Sequence, residues 1–317
     1  MPRPFRFGLS ARSPVSRAAW QRTARQAEAI GFDTLLVADH LVDMLPPLVS
    51  LASAAEATER LRVGTLVVNN DFRHPVVLAR EAAALGMLTE GRFELGLGAG
   101  HMKPEYDQAG IRFDRAGVRV ERLDESVAII RKLLDGHDVT HHGKHFRVTG
   151  HRAWPVLDPA HRVPILVGGN GRRVLSIAAR RADTVGFVGF AHTPDASGLV
   201  FPNFSAAGLD RHICWVREQA GDRFDALELN ALIQVVEVTA DRRSAAQQLH
   251  DRWGDLAVDE LLDSPFLLLG TYEQMADQLR ERRERFGISY WVTFASRPHS
   301  TQDAATLGPV IERVSGS

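Results

Sequence analysis

The run Thr34-Leu35-Leu36-Val37-Ala38 ends in Asp39-His40. An unbroken series of apolar and β-branched residues marks a buried strand, and strand packing has no use for an acid and an imidazole at its end. In α/β enzymes chemistry is placed at the ends of buried strands, and a carboxylate beside a histidine suits proton transfer. The competing reading makes Asp39 the cap of the next helix and His40 a hydrogen-bonded rim residue. Two glycine clusters occupy matching places further on: Gly98-Ala99-Gly100 before His101, and Gly168-Gly169-Asn170-Gly171 before Arg172 and Arg173. The second leads from a strand into a helix. Its backbone N–H groups and helix N-terminus form a cradle for a phosphate, supplemented by the arginines. The alternative is a tight turn that needs glycine. His101 is a second candidate proton donor or acceptor, or a plain loop histidine. His137, His141, His142 and His145 superficially suggest a metal site. They fall on a polar hairpin without a carboxylate cluster, so a solvated face is the better reading and no metal is expected.

These positions meet only if the strands bring them together. Strand patterns occur at Phe5–Leu9, Thr34–Ala38, Arg62–Val68, Arg92–Leu97, Val163–Gly168, Thr184–Val188, Glu228–Val238 and Tyr290–Phe294. Amphipathic helical patterns alternate with them, among them Ser16–Ile30, Val76–Leu88, Val118–Leu134, Arg172–Arg181 and Tyr272–Arg285. Regular β-α alternation implies a parallel sheet, and eight repeats imply closure into an α/β (β/α)8 TIM barrel. No Gly-rich turn follows the first strand, which disfavours a Rossmann domain. Asp138–Val148 reads as a hairpin inserted after the fourth helix, and Thr239–Phe266 adds helical material before the last βα unit. With no low-complexity linker, residues 1–317 are expected to form one domain.

Composition removes several classes of function. A formal net charge of -1 gives no attraction to nucleic acid or an anionic membrane. No apolar run is long enough to span a bilayer, and the N-terminus has no signal-peptide architecture, so a cytoplasmic location is expected. The single cysteine, Cys214, leaves no internal disulfide. Lysine is confined to Lys103, Lys132 and Lys144 among many arginines, a bias typical of GC-rich genomes.

The chain resembles the bacterial luciferase-like monooxygenases, and within them the branch that uses the deazaflavin F420. The resemblance runs nearly the whole length. It is carried by Gly31-Phe32-Asp33-Thr34 leading to Ala38-Asp39-His40, Val63-Gly64-Thr65 with Phe72-Arg73-His74-Pro75, and Gly91-Arg92-Phe93 with Leu97-Gly98-Ala99-Gly100. Glu105 with Gly110, Pro164–Gly171 and Ala182-Asp183 complete it. Each is weak alone; order and spacing make them specific. The resemblance implies a barrel, commonly dimeric, with a flavin-like ring across the strand ends. Asp39 would contact the cofactor, His40 would sit beside the reactive carbon, and a non-proline cis peptide would fall at Leu66-Val67. Asn69, Ala99 and Gly100 would line the cofactor, and Gly168-Gly169 would hold its phosphate, with Asn170, Gly171 and Arg172 adjoining. Compared with the sugar-phosphate dehydrogenase of this branch, Met44 stands where an active-site tryptophan is found and His101 where an acid is found. Basic residues that would grip a substrate phosphate have no evident counterparts, which puts a sugar phosphate in doubt.

The leading expectation is hydride transfer between F420 and a small organic substrate, the protein supplying position and a proton. The alternative is a monooxygenase using reduced FMN and oxygen. The arginine-rich composition tilts toward F420, which is common in actinobacteria. A non-catalytic flavin-binding barrel is a third possibility, opposed by the presence of a proton-transfer group. Met44, Phe72, Met102, Phe190, Phe201, Phe204 and Phe294 suggest a partly apolar substrate pocket.

Overall fold

A computed structural model describes residues 3–12, 16–193, 198–201, 203–295 and 304–315. Eight strands form the barrel: β1 (Arg6–Ser10), β2 (Thr34–Val37), β3 (Arg62–Thr65), β4 (Phe93–Gly98), β5 (Ile165–Gly168), β6 (Thr184–Phe187), β7 (Glu228–Leu232) and β8 (Ile288–Phe294). Each pairs in parallel with the next, and β8 returns to β1 with Ser10 opposite Phe294, so the sheet closes. Closure leaves no sheet edge and sends every strand end to one mouth.

Around the barrel lie α1 (Arg17–Ile30), α2 (Pro47–Ala55), α3 (Pro75–Leu88), α4 (Lys103–Ala109), α5 (Ala116–Leu134), α6 (Arg172–Arg181), α7 (Ala206–Ala220), α8 (Arg242–Trp253), α9 (Val258–Asp263), α10 (Tyr272–Phe286) and α11 (Gly308–Val314). Local chemistry sets their ends. Ser16 accepts from Ala19 N–H to start α1, and Gly31, at φ 102°, ends it in the left-handed region. Thr271 and Gln274 form a reciprocal capping box on α10. The apolar faces pack on the outside of the barrel, with Trp20, Phe93, Leu123 and Leu175 fully buried.

The predicted hairpin is present as Val139–His142 paired with Arg147–His151. The expected seventh strand, Glu228–Val238, is two strands. Gln234 breaks it, its amide bonding to Val188 O and Leu232 O, and Val235–Val238 then leaves the barrel to pair with Leu267–Gly270. Between the halves of that pair run α8 and α9, the expected additional helical material.

The base of the barrel is closed by charge. Arg6 on β1 pairs with Glu94 on β4 and, at 2.7 Å, with Glu228 on β7, while Arg62 on β3 shares Glu94. The Arg6 guanidinium lies 4.3 Å from the Tyr290 ring centroid on β8. Thr34 on β2 and Thr184 on β6 add hydrogen bonds at 3.3 and 3.4 Å. Burial pushes the Glu228 carboxyl above the ordinary carboxylate range. Above this network Leu36, Tyr290 and Val292 fill the interior, with Leu66 and Leu232 packed on them from the mouth side.

Candidate active site

The mouth takes its shape from the interruption after β3. Chain direction changes at Leu66–Val67, joined by a non-proline cis peptide, before a two-residue strand, Val68–Asn69, resumes pairing with Leu97 and Gly98. Thr65 bridges the gap: its hydroxyl donates to Gly96 O at 2.9 Å and accepts from Gly96 N–H at 2.8 Å. Glycine is required opposite this turn. A Cβ on Gly96 would fall 2.1 Å from Thr65 O, and one on Gly98 2.5 Å from Val67 Cγ2. Leu66 packs on the barrel interior and forms part of the floor of the mouth.

Asp39 and His40 leave β2 beside this turn and do different work. Asp39 is buried; its carboxylate pairs with Arg73 and accepts from Asn69 N–H at 3.1 Å. Any ligand contact at Asp39 therefore shares an oxygen with Arg73. The His40 side chain is 28% exposed, and its Nδ1 lies 2.9 Å from Oε1 of the buried Glu105 on α4. Glu105 Oε2 accepts from Leu41 N–H at 3.3 Å. His101 is exposed, and its ring stands edge-on to His40 with centroids 5.6 Å apart. Both candidate proton carriers thus meet at the mouth.

Asn69 is held from below. Its Oδ1 accepts from the Tyr106 hydroxyl at 2.9 Å, and Tyr106 also reaches Asp71, which pairs with Arg122 at 2.7 Å. Burial and the Asp71 charge keep the Tyr106 hydroxyl protonated well above the usual tyrosine range. Gly100 adopts φ 73°, and Arg119 Nε donates to Ala99 O at 3.3 Å, fixing the loop after β4. In the same turn as Asn69, Asn70 keeps a buried Nδ2 without a hydrogen-bond partner.

Across the mouth, the second glycine cluster forms a narrower cradle than its sequence suggested. Gly169 N–H is spent on Gly186 O, and the Asn170 side chain is tied to Gly189 N–H and Phe190 O. What remains is the N-terminus of α6. Gly171 caps it with no side chain, and a Cβ there would meet nothing within 4 Å. Gly168 pairs with Gly186 on β6. Arg172 is exposed, its guanidinium 4.9 Å from the Trp215 ring centroid. An uncapped helix start with room before it is suited to an anion.

The aromatic residues divide. Phe204 is core, packed with Phe201, Trp253 and Phe266, so neither it nor Phe201 reads as a free wall of a pocket. Phe72 leans on Tyr106, and Met44, Met102, Phe190 and Phe294 are half-buried. Among the described residues no group of three or more His, Cys, Asp or Glu could hold a metal. His141 and His145 instead face Glu125 and Glu121 on α5. Glu105 is the partner of His40 that sequence reasoning missed, although it stood among the motif residues. Its relation to His40 spans 65 positions.

The model of the luciferase-like monooxygenase family matches residues 4–290. The chain belongs to that family. Among curated proteins, an F420-dependent glucose-6-phosphate dehydrogenase of Nakamurella multipartita is 31% identical over 267 residues, covering 81% of this chain and 74% of the relative. A protein of the same name from Microbacterium testaceum is 34% identical over 166 residues; that match spans 50% of this chain and 48% of the relative. The fold is shared with an F420-dependent secondary alcohol dehydrogenase solved with an F420–acetone adduct. The TM-score is 0.73 at 19% identity, over 99% of this chain and 98% of that one. A long-chain alkane monooxygenase superposes with TM-score 0.72 at 16% identity, over 99% and 90% of the two chains. No helix among the described residues is long and apolar enough to cross a membrane.

Proposed function

We propose that this protein is an F420-dependent oxidoreductase that moves a hydride between the deazaflavin and a small organic substrate, and that it works as one barrel domain in the cytoplasm. The observation that carries the reading is the half-exposed imidazole of His40 standing among buried strand-end residues at the mouth. The named activity of the Nakamurella multipartita relative supports the cofactor.

The residues present fit such a group. The open N-terminus of α6 would take its phosphate, and the Asn70 Nδ2 without a partner offers a buried donor beside the mouth. Asn69, Ala99, Gly100 and the Leu66–Val67 turn would border the ring, with Asp39 and Arg73 behind them. When bound, the deazaflavin supplies the two-electron step, accepting or giving a hydride at the carbon that changes oxidation state. The protein handles the accompanying proton. In substrate oxidation His40 takes the hydroxyl proton as the hydride leaves; in reduction it returns one, with His101 next to it on the solvent side. The apolar floor of Leu36, Leu66, Val292 and Leu232 keeps water from beneath the reacting centre.

The test is a parallel titration with F420 and FMN, followed by turnover of wild type and His40→Ala. The expected result is preferential binding of F420, no oxygen consumption, and turnover in the variant lowered by about 10²- to 10⁴-fold with cofactor affinity kept. Preferential FMN binding with oxygen consumed would establish a monooxygenase instead. Tight binding without turnover of any substrate would leave a storage or sensing barrel. The enzyme is further proposed to be a homodimer. Supporting this, Val77, Met87 and Leu88 on α3 and the nearby Trp154 are large apolar side chains left exposed.

A further inference from the structure

Glu105 reaches the mouth from the first turn of α4 and is 4% exposed. Its two oxygens contact two adjacent residues of the loop after β2, His40 through Nδ1 and Leu41 through its backbone N–H. A backbone amide only donates, so Oε2 is an acceptor. A carboxylate that accepts at both oxygens assigns the proton of the neutral imidazole to Nδ1. The lone pair then lies at Nε2, on the far side of the ring from Glu105.

We propose that Glu105 is the positioning residue of the site: it fixes the tautomer of His40, so that Nε2 exchanges the proton in the reaction. The proposal rests on the reading of His40 as the proton carrier. It adds which nitrogen reacts and what selects it. In either direction the balance is the same. The substrate O–H bond breaks onto Nε2, or Nε2–H gives its proton up, while the hydride travels separately to or from the cofactor. Glu105 neither gains nor loses a proton. It holds Nδ1–H throughout and balances the imidazolium that forms.

A purely structural role, tying the β2 loop to α4, predicts the same contacts in the native chain but a different result for Glu105→Gln. In that variant Leu41 N–H needs an acceptor and so takes the amide oxygen. The amide NH2 is then turned toward His40 Nδ1. The loop stays tied, whereas Nδ1 is forced to accept and the imidazole proton moves to Nε2. Tether and tautomer are thereby separated.

The experiment is two-dimensional nitrogen-15 NMR of the histidine side chains in the full chain, with His40 assigned by the signals lost in His40→Gln. Wild type is expected to show a protonated Nδ1 and an acceptor-type Nε2, and Glu105→Gln the reverse with the fold retained. F420 dissociation constants are expected to match, while kcat falls by up to about 10⁴-fold with KM little changed, the size seen when a histidine is held in the wrong tautomer. Wild type with an acceptor-type Nδ1 would overturn the proposal, whatever Glu105→Gln does. So would a swapped tautomer with full kcat. The NMR measurement needs neither cofactor nor substrate, so failure of the F420 reading is seen separately from failure of this one.

Discussion

Gly98 is where the mouth has least room, and adding one methyl there gives a calculable outcome. An alanine Cβ would stand 2.5 Å from Val67 Cγ2. Apolar carbons rest at about 3.5–4.0 Å, so Val67 and its turn must retreat by about 1 Å. Overpacking of this size costs about 1–3 kcal/mol. A chain of 317 residues unfolds with an entropy near 0.7 kcal/mol/K, so Tm is expected to fall by about 2 to 4 °C. Because the displaced turn borders the proposed cofactor site, turnover is expected to fall by up to about 10²-fold. Trimming the obstruction with Val67→Ala in the Gly98→Ala background should recover part of both losses, with a coupling of about 1 kcal/mol. Thermal melts and F420 titrations of wild type, both single variants and the double variant complete the cycle. A Gly98→Ala protein that melts with wild type, or single-variant losses that simply add, would refute the packing argument.

Two further outcomes concern the frame and the assembly. Asp183 is half-buried, and desolvation alone would raise its pKa, but Arg131, Arg162 and the Ile165 N–H hold it below the ordinary value. A depressed folded value means its contribution is present above the unfolded value and lost as pH falls through the folded one. Asp183→Asn should therefore cost about 1–3 kcal/mol at pH 7 in urea unfolding. The gap to wild type should narrow below about pH 4; a gap constant from pH 7 to pH 3 would exclude this linkage. The homodimer predicts light scattering at twice 35.0 kDa and a shift toward the monomer in Leu88→Asp. A native chain that elutes as a monomer would refute it.

The barrel was legible because each strand carries its own apolar run, and a pattern of four or five residues needs no partner to be recognised. Strand ends followed from that, which is why Asp39, His40, Asn69 and Gly100 could be assigned to one mouth. The division of Glu228–Val238 was hidden because both halves are β-prone; only the Gln234 side chain, bonding to Val188 and Leu232, turns the chain out of the barrel. Polar commitments were hidden too. Nothing local in Asp39 announces Arg73, and nothing in the Gly168–Gly171 cluster tells that Gly169 N–H is spent on Gly186. Glu105 had a visible place in the motif but no visible partner, since its partnership is made by a helix folding back over the loop after β2.

The charged base gives the molecule a fixed end. Arg6, Arg62, Glu94 and Glu228 join β1, β3, β4 and β7 at their starts and set the stagger among strands far apart in sequence. Strand alignment is therefore decided at the end remote from chemistry. Substitutions in the loops after β2, β4 and β6 can then reshape what the mouth accepts without renegotiating how the strands line up. Strand stagger and substrate choice thereby rest on residues at opposite ends of the same strands.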